Sequence, residues 1–323
     1  MAAIVAYTIF AGADFGGGIW SLFAWGARKA EQRDALERAI GPVWETNHVW
    51  LILLVVTLFT AFPAAYSGIF GALYVPLFIA LMGIVARGAA FAFRHYSPRD
   101  SPMSHSSLRA FAVASLITPF AFGLTIGAVT DGQLKVSGTA VTSGAFSGWL
   151  EPFAIMCGLI GLLICAFLAA AYMVPRTQGE MRRDFQRRAI AASLALGVVT
   201  TATIPVAYWD ASHFFHAMSR TSVLAMMAGT AVVGLATLWV LRRGWANLAP
   251  LFAAATAGGV VLSWALAQNP YLVASGLSLS AAAAPGYTLK AFLIALPFGA
   301  LILLPSLALL YFTFSRDTFG DGS

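Results

Sequence analysis

The most unusual residue near the start of the chain is Asp14, a carboxylate within an otherwise apolar run. It belongs to the sequence GADFGGG, residues 12–18, and glycines flank it on both sides. An unpaired charge at the centre of a bilayer costs about 3 kcal/mol or more, so Asp14 is a candidate functional residue. The glycines would let a second helix approach closely. We favour burial of the carboxyl group against such a helix over exposure to water.

A second polar cluster lies in IGPVWETNHVWLI, residues 40–52, which we call the signature segment. A proline near its start suits the first turn of a helix, and Glu45 suits the positive end of the helix dipole. Glu45 and His48 would then share one helix face, and so would Asn47 and Trp50, because residues three apart are neighbours. The segment therefore gathers an acid, an imidazole and an amide within two helical turns.

Two interpretations of the signature segment remain open from its residues alone. Trp44 and Trp50 are typical of an aromatic belt at a membrane surface, in which Glu45 would only cap the helix. The same side chains are also suited to conducting protons or contacting a ligand.

The composition of the chain indicates an integral membrane protein. Hydrophobic residues make up 59% of the sequence and charged residues 10%, whereas soluble domains carry about 25% charged residues. Apolar stretches of about 20 residues cross the hydrocarbon as helices. We therefore predict an all-α membrane protein with no soluble domain and no cleavable signal. The nine predicted spans are residues 1–25, 43–66, 72–95, 108–130, 149–173, 188–208, 219–241, 247–267 and 288–314.

The basic residues predict how these spans are oriented. Most Lys and Arg residues follow odd-numbered spans, and only Lys135, Arg220 and Lys290 lie near the opposite face. The positive-inside rule then places the N-terminus outside and the C-terminus in the cytoplasm. The same rule explains the net charge of +6 without a nucleic-acid partner. Arg87, inside the third span, is expected to snorkel to the cytoplasmic interface.

A short repeat suggests that the chain has two related halves. RDALERAI, residues 33–40, and RDFQRRAI, residues 183–190, share five of eight residues. Each copy follows a span that runs inward and precedes one that returns. We therefore predict two parallel four-helix units, approximately residues 1–131 and 149–267, with a peripheral ninth helix at 288–314.

Other residues that could bind a metal or a cofactor are few. His213 and His216 have helical i, i+3 spacing, but the sequence offers no third ligand nearby, so we expect no metal there. Cys157 and Cys165 would lie about 12 Å apart on one helix, too far to form a disulfide. Among the five histidines, only His48 lies in the interior of a predicted span; His95 is the last residue of the span 72–95. One such residue is weak support for haem in this chain.

Three motifs in this order resemble subunit II of the cytochrome bd-type quinol oxidases. They are GADFGGG, the signature segment continued by LFTAFPAAY, and the late WALAQNPYLVASGLSLSAAAAPGYTL. The resemblance covers essentially the whole chain, and GPVWETNHVW is its most specific part. Family members usually carry more residues before the first motif, which would make the first span short or the start truncated. Many also have Asp at the position of Glu45.

The resemblance implies a role within a two-subunit respiratory enzyme of the bacterial inner membrane. Such an enzyme oxidises quinol, reduces dioxygen to water and generates a proton-motive force without pumping. Haems b558, b595 and d and the quinol-oxidising loop would belong to the partner, subunit I. This chain would be the non-haem subunit, with membrane lipid and a small accessory subunit as further partners.

The resemblance also implies roles for individual residues. Asp14 and Glu45, together with His48, become candidates for delivering cytoplasmic protons. Trp50 becomes a candidate for lining the access of dioxygen from the bilayer. Two more residues of the signature segment, Trp44 and Asn47, would have a supporting structural role.

A secondary transporter is the alternative function. The repeat and the intramembrane carboxylates Asp14 and Glu45 would also suit that class. A transporter should work alone, whereas an oxidase subunit should not.

Overall fold

A computed structural model describes residues 1–40, 44–96, 101–137, 140–274 and 276–320, and nearly all of them are helical. Two antiparallel hairpins complete the described part, β1 (Val136–Ser137) with β2 (Ala140–Val141) and β3 (Tyr271–Val273) with β4 (Leu277–Ser278). The helices are α1 (Ala2–Leu22), α2 (Lys29–Ile40), α3 (Trp44–Asn47), α4 (Val49–Ala61), α5 (Pro63–Ala72), α6 (Tyr74–Tyr96), α7 (Pro102–Asp131), α8 (Pro152–Arg176), α9 (Gly179–Asp210), α10 (Ser212–Met218), α11 (Thr221–Arg243), α12 (Ala249–Gln268), α13 (Leu279–Ala282) and α14 (Gly286–Gly320).

The prediction of an all-α membrane protein with about nine spans is confirmed. In the described part, eight helices are long and apolar enough to cross a membrane: α1, α6, α7, α8, α9, α11, α12 and α14. The ninth span is a bent pair, Glu45–Ala61 followed by Pro63–Ala72. The division into two repeat halves stays a prediction.

The second span differs from the uninterrupted helix predicted over residues 43–66. The chain bends by 118° between Glu45–Ala61 and Pro63–Ala72. Phe62, at the break, has φ −137° and ψ 59°, because the ring of a following proline disfavours helical geometry in the residue before it. Pro63 then occupies the first turn of α5, where its missing N–H is tolerated.

Helix α8 lies at the centre of the bundle. It contacts α1, α7, α9 and α12, and Phe167 and Leu168 at its middle are fully buried. Burying a side chain of this size contributes about 2 kcal/mol in water, but in lipid the close fit of helices matters more. At the other extreme, α14 exposes most of its side chains and contacts α4.

The glycines around Asp14 allow α1 to approach its neighbours very closely. A Cβ added at Gly16 would lie 1.8 Å from the backbone oxygen of Cys165 on α8. A Cβ added at Gly18 would lie 2.1 Å from Oγ of Ser115 on α7. These distances are too short for any side chain, so the glycines set the spacing between the three helices.

A polar junction fastens α2 to α9 beside the bundle. Arg28 donates from Nε and Nη2 to the carboxylate of Asp184 at 2.9–3.1 Å, and Gln32 donates to the same carboxylate at 3.1 Å. Arg188 in turn donates to Oε1 of Gln32 at 2.6 Å. The second copy of the sequence repeat therefore contacts the residues just before the first copy.

Candidate functional site

The structure places Asn47 of the signature segment directly on Asp14. The amide of Asn47 donates a hydrogen bond to Oδ2 of Asp14, and it also lies 3.5 Å from the backbone oxygen of Phe10. Asp14 is only 5% exposed and Asn47 only 1% exposed. The carboxyl group is thus buried against neighbouring elements, as the glycine pattern predicted.

His48, the residue after Asn47, lies among aromatic rings of α1. Its Nδ1 is 3.4 Å from the hydroxyl of Tyr7, and the ring centroids of Tyr7 and Phe15 are 6.0 and 6.1 Å from its own. The structure therefore brings together a carboxylate, an amide, an imidazole and a phenol on α1, α3 and the following turn. Such groups can exchange protons through short hydrogen-bonded steps.

The remaining signature residues lie toward the surface of the chain. Glu45 is exposed on α3. Trp50 is half-buried and its ring stacks on that of Phe10, with centroids 6.3 Å apart and planes at 14°. The side chain of Trp44 falls outside the described part of the structure.

Arg87 on α6 is the residue of this site that sequence reasoning missed. The expectation that it snorkels to the interface is wrong, because its side chain is fully buried. The guanidinium carbon lies 4.6 Å from the centroid of the Phe15 ring and 4.9 Å from that of Phe111. Arginine stacks well on aromatic faces, so two rings hold the charge inside the bundle.

Asp14 supplies the opposite charge for Arg87. The two groups act on each other electrostatically, and Arg87 also acts on Tyr7 and Cys165. A buried charge costs several kcal/mol, and attraction to a nearby opposite charge offsets part of that cost. The sequence did contain a signal for this pairing. The first span carries an acid, Asp14, and the third carries a base, Arg87, and both lie at membrane depth.

The other polar residues singled out in the sequence lie elsewhere. His213 contacts the ring of Tyr271 with centroids 5.2 Å apart, and His216 lies 2.7 Å from the backbone oxygen of Ser212. Cys157 and Cys165 are free thiols. Within the described ranges, no group of three or more His, Cys, Asp or Glu side chains is arranged to hold a metal ion.

The surroundings of His48 do not fit a haem group. Haem iron would bind a ring nitrogen of this histidine, in the plane of the imidazole. Nδ1 of His48 lies 3.4 Å from the Tyr7 hydroxyl, and Nε2 is buried inside the bundle. The site is better suited to proton chemistry than to ligating iron.

Comparison with known proteins assigns the chain to a family. The family model described as "Cytochrome bd terminal oxidase subunit II" matches residues 1–314. The chain belongs to this family. It is therefore a subunit of a membrane-bound oxidoreductase complex of the cytochrome bd type, and this assignment favours the oxidase over a transporter.

Two curated members of the family illustrate the degree of similarity. The cytochrome bd ubiquinol oxidase subunit 2 of Bacillus subtilis is 28% identical over 203 residues, which cover 63% of this chain and 58% of that protein. The cytochrome bd-I ubiquinol oxidase subunit 2 of Escherichia coli K12 is 23% identical over 308 residues, 86% of this chain and 80% of that protein. The match to the Bacillus protein thus spans little more than half of its length.

A solved structure shares the fold of the chain. The bd oxidase from Geobacillus thermodenitrificans superposes with a TM-score of 0.71 at 22% identity. The likeness covers 97% of this chain and 95% of that one. At 22% identity the likeness shows that the two chains share an arrangement of helices.

Proposed function

We propose that this chain is the non-haem subunit of a bacterial quinol oxidase that reduces dioxygen to water. Its partner would be subunit I, which would hold haems b558, b595 and d and the quinol site. The haems supply the electron transfer and the dioxygen chemistry when bound. Family membership over residues 1–314 supports this proposal, and so does the poor fit of a haem at His48. Membrane lipid and a small accessory subunit would complete the assembly.

The role of this chain within the complex would be to deliver protons. Dioxygen reduction consumes one proton for each electron, and hydrocarbon cannot supply them. The observation that carries the proposal is the hydrogen bond from Asn47 to the buried carboxylate of Asp14. Glu45, exposed two residues earlier, would collect protons from water, and Asp14 and His48 would pass them inward.

The stack of Trp50 on Phe10 suggests a path for dioxygen. Both rings are aromatic, and Trp50 is half-buried at the outside of the bundle. A nonpolar gas dissolved in the bilayer would enter along such apolar surfaces more readily than along the polar cluster beside Asp14. Asn47, which holds α3 on α1, and Trp44 would stabilise this wall against the haem-bearing partner.

A haem spectrum tests the proposed function. We expect the native complex to show a reduced-minus-oxidised haem spectrum, whereas this chain expressed alone should bind no stoichiometric haem. The reason is that Nδ1 of His48 already lies beside the Tyr7 hydroxyl and Nε2 is buried, which leaves no room for the cofactor at either nitrogen. The measurement is haem per chain after purification with and without subunit I. A haem peak that co-elutes with the isolated chain at about one per chain would contradict the proposal.

We further propose that the N-terminus faces outward and the C-terminus faces the cytoplasm. The charge asymmetry of the connections supports this orientation. Reporter fusions after Arg38, Arg182 and Arg243 should score as cytoplasmic, and fusions near Lys135 and Ala211 should score as external. An external signal at Arg182 would refute both the orientation and the number of spans.

A further inference from the structure

A small cavity lies between α1, α2, α6 and α7, at the end of the bundle where α1 ends and α7 begins. The space open to the centre of a water molecule is about 20 Å³, enough for one ordered water. Four polar side chains lie around it, those of Ser21, Arg33, Glu37 and Arg94. By the proposed orientation this end faces the cytoplasm.

An ion pair forms the outer wall of the cavity. Arg94 donates from Nε and Nη2 to the two carboxylate oxygens of Glu37 at 2.9 and 2.8 Å. The side chain of Glu37 is 36% exposed and that of Arg94 is 17% exposed. Glu37 therefore touches both the aqueous phase and the interior of the cavity.

The inner side of the cavity contains an unsatisfied hydroxyl group. Ser21 is 5% exposed, and its Oγ has no hydrogen-bond partner among the residues that the structure describes. Buried hydroxyl groups nearly always have a partner in proteins or ordered water. Arg33 donates from Nε to the backbone oxygen of Ser21 at 3.1 Å, which fixes α2 beside this point. A water molecule in the cavity would satisfy the hydroxyl.

Helix α1 connects this hydroxyl with the buried carboxylate. Asp14, Gly17 and Ser21 are spaced by three and four residues, so they lie on one face of the helix. Gly17 lines the cavity and has no side chain to fill the gap. The distance along the helix axis from Asp14 to Ser21 is about 10 Å, so water beyond the one in the cavity would have to enter along this face to link the two groups.

Helix α6 lines the other side of the cavity with residues at the same spacing. Arg87, Ala90 and Arg94 are also spaced by three and four residues, and the small Ala90 lines the cavity between the two arginines. Phe111, another lining residue, stacks on the guanidinium group of Arg87. The cavity therefore ends one to two helical turns from the Asp14–Arg87 pair.

We propose that this cavity is a water site on a second proton approach to Asp14, and that Glu37 is its proton-relaying residue. A proton would pass from bulk water to the Glu37 carboxylate, from there to water held at Ser21, and then through further water entering along α1 to the Asp14 carboxylate. Each group returns to its starting state when the proton moves on, and no electron is transferred. This inference rests on the proposed role of Asp14 and adds a path that the signature segment does not contain.

Three variants of the full two-subunit complex test the second approach. Glu37→Gln keeps the shape and removes the titrating group, whereas Ser21→Val fills the cavity without touching an acid. Glu31→Gln is the matched control, because Glu31 is an exposed acid on the same helix. The readouts are haem content, turnover per haem, and the rate of proton uptake when fully reduced complex reacts with dioxygen.

We expect Glu37→Gln and Ser21→Val to lower turnover per haem about tenfold, a modest share of what proton relays contribute. Proton uptake should slow to the same extent while dioxygen binding keeps its rate, and Glu31→Gln should match the wild type.

Two results would overturn the proposed role of Glu37 but leave the proposed role of Asp14 intact. One is normal turnover and uptake in both variants when Asp14→Asn is impaired. The other is a loss of haem in proportion to activity, which would make Glu37 a purely structural ion pair. If Asp14→Asn also keeps full turnover per haem, the proposed function of Asp14 fails as well.

Discussion

Replacing Asp14 with Asn is expected to lower quinol oxidase turnover per haem about a hundredfold, a typical contribution of a positioned acid–base group. The substitution keeps the shape of the side chain and its contact with Asn47 but removes the proton-carrying group. Glu45→Gln should reduce turnover about tenfold, because bulk water partly replaces an exposed acid. Turnover per haem is the decisive measurement, since it excludes complex that failed to assemble.

The controls separate proton transfer from structural support. Asp14→Glu keeps the charge opposite Arg87 and should retain more turnover than Asp14→Asn. Glu180→Gln removes an exposed acid far from the site, in an ion pair with Arg183 that contributes little to stability. If these acids only fasten helices, haem content will fall in step with activity and turnover per haem will stay unchanged.

Replacing Gly16 with Ala is expected to prevent most of the complex from assembling. The new Cβ would meet the backbone oxygen of Cys165 at 1.8 Å and Cβ of Ala169 at 2.6 Å. Because the obstacle is the main chain of α8, two helices at the centre of the bundle must move apart. Forcing extra atoms into a tight contact costs about 1–3 kcal/mol or more, and the shift would also displace Asp14. The measurement is the yield of haem-loaded complex after purification.

Gly197→Ala provides the matched comparison for Gly16→Ala. Gly197 lies within α9, and a Cβ added there would meet nothing within 4 Å. Alanine favours a helix over glycine by about 1 kcal/mol, so this variant should assemble at least as well as the wild type. Equal yields from the two variants would show that the close approach of α1 and α8 is not needed.

The sequence predicted the spans well because their apolar lengths match the bilayer, and it predicted the two polar motifs because charges are rare in this chain. It did not predict the bend at Phe62, although Pro63 was a visible signal. The predicted second span ran through that proline, since many membrane helices tolerate one. Helices also extend beyond the predicted spans: α9 begins at Gly179, before the span predicted from residue 188, because its polar first turns lack the apolar pattern.

The site could be predicted only in part, because its members come from three spans. Asp14 and the signature segment were each recognisable, but their hydrogen bond joins residues 33 positions apart. Arg87 was interpreted alone, and a lone arginine in the inner half of a span is expected to extend toward the interface. Its true environment depends on Phe15 and Phe111 enclosing it. Contacts between spans depend on how the helices pack, and a local sequence pattern does not predict that packing.

The bend at Phe62 has a consequence for the membrane around the second span. The straight part of this span, Glu45–Ala61, is about 25 Å long at 1.5 Å per residue, shorter than the roughly 30 Å of hydrocarbon. Such a hydrophobic mismatch is relieved by thinning of the adjacent bilayer. The lipid headgroups, and the water among them, would then dip toward the end of the span that carries Glu45. In the proposed proton path, protons would then cross a thinner layer of low dielectric to reach the buried carboxylate of Asp14, because the bend also changes the thickness of the surrounding bilayer.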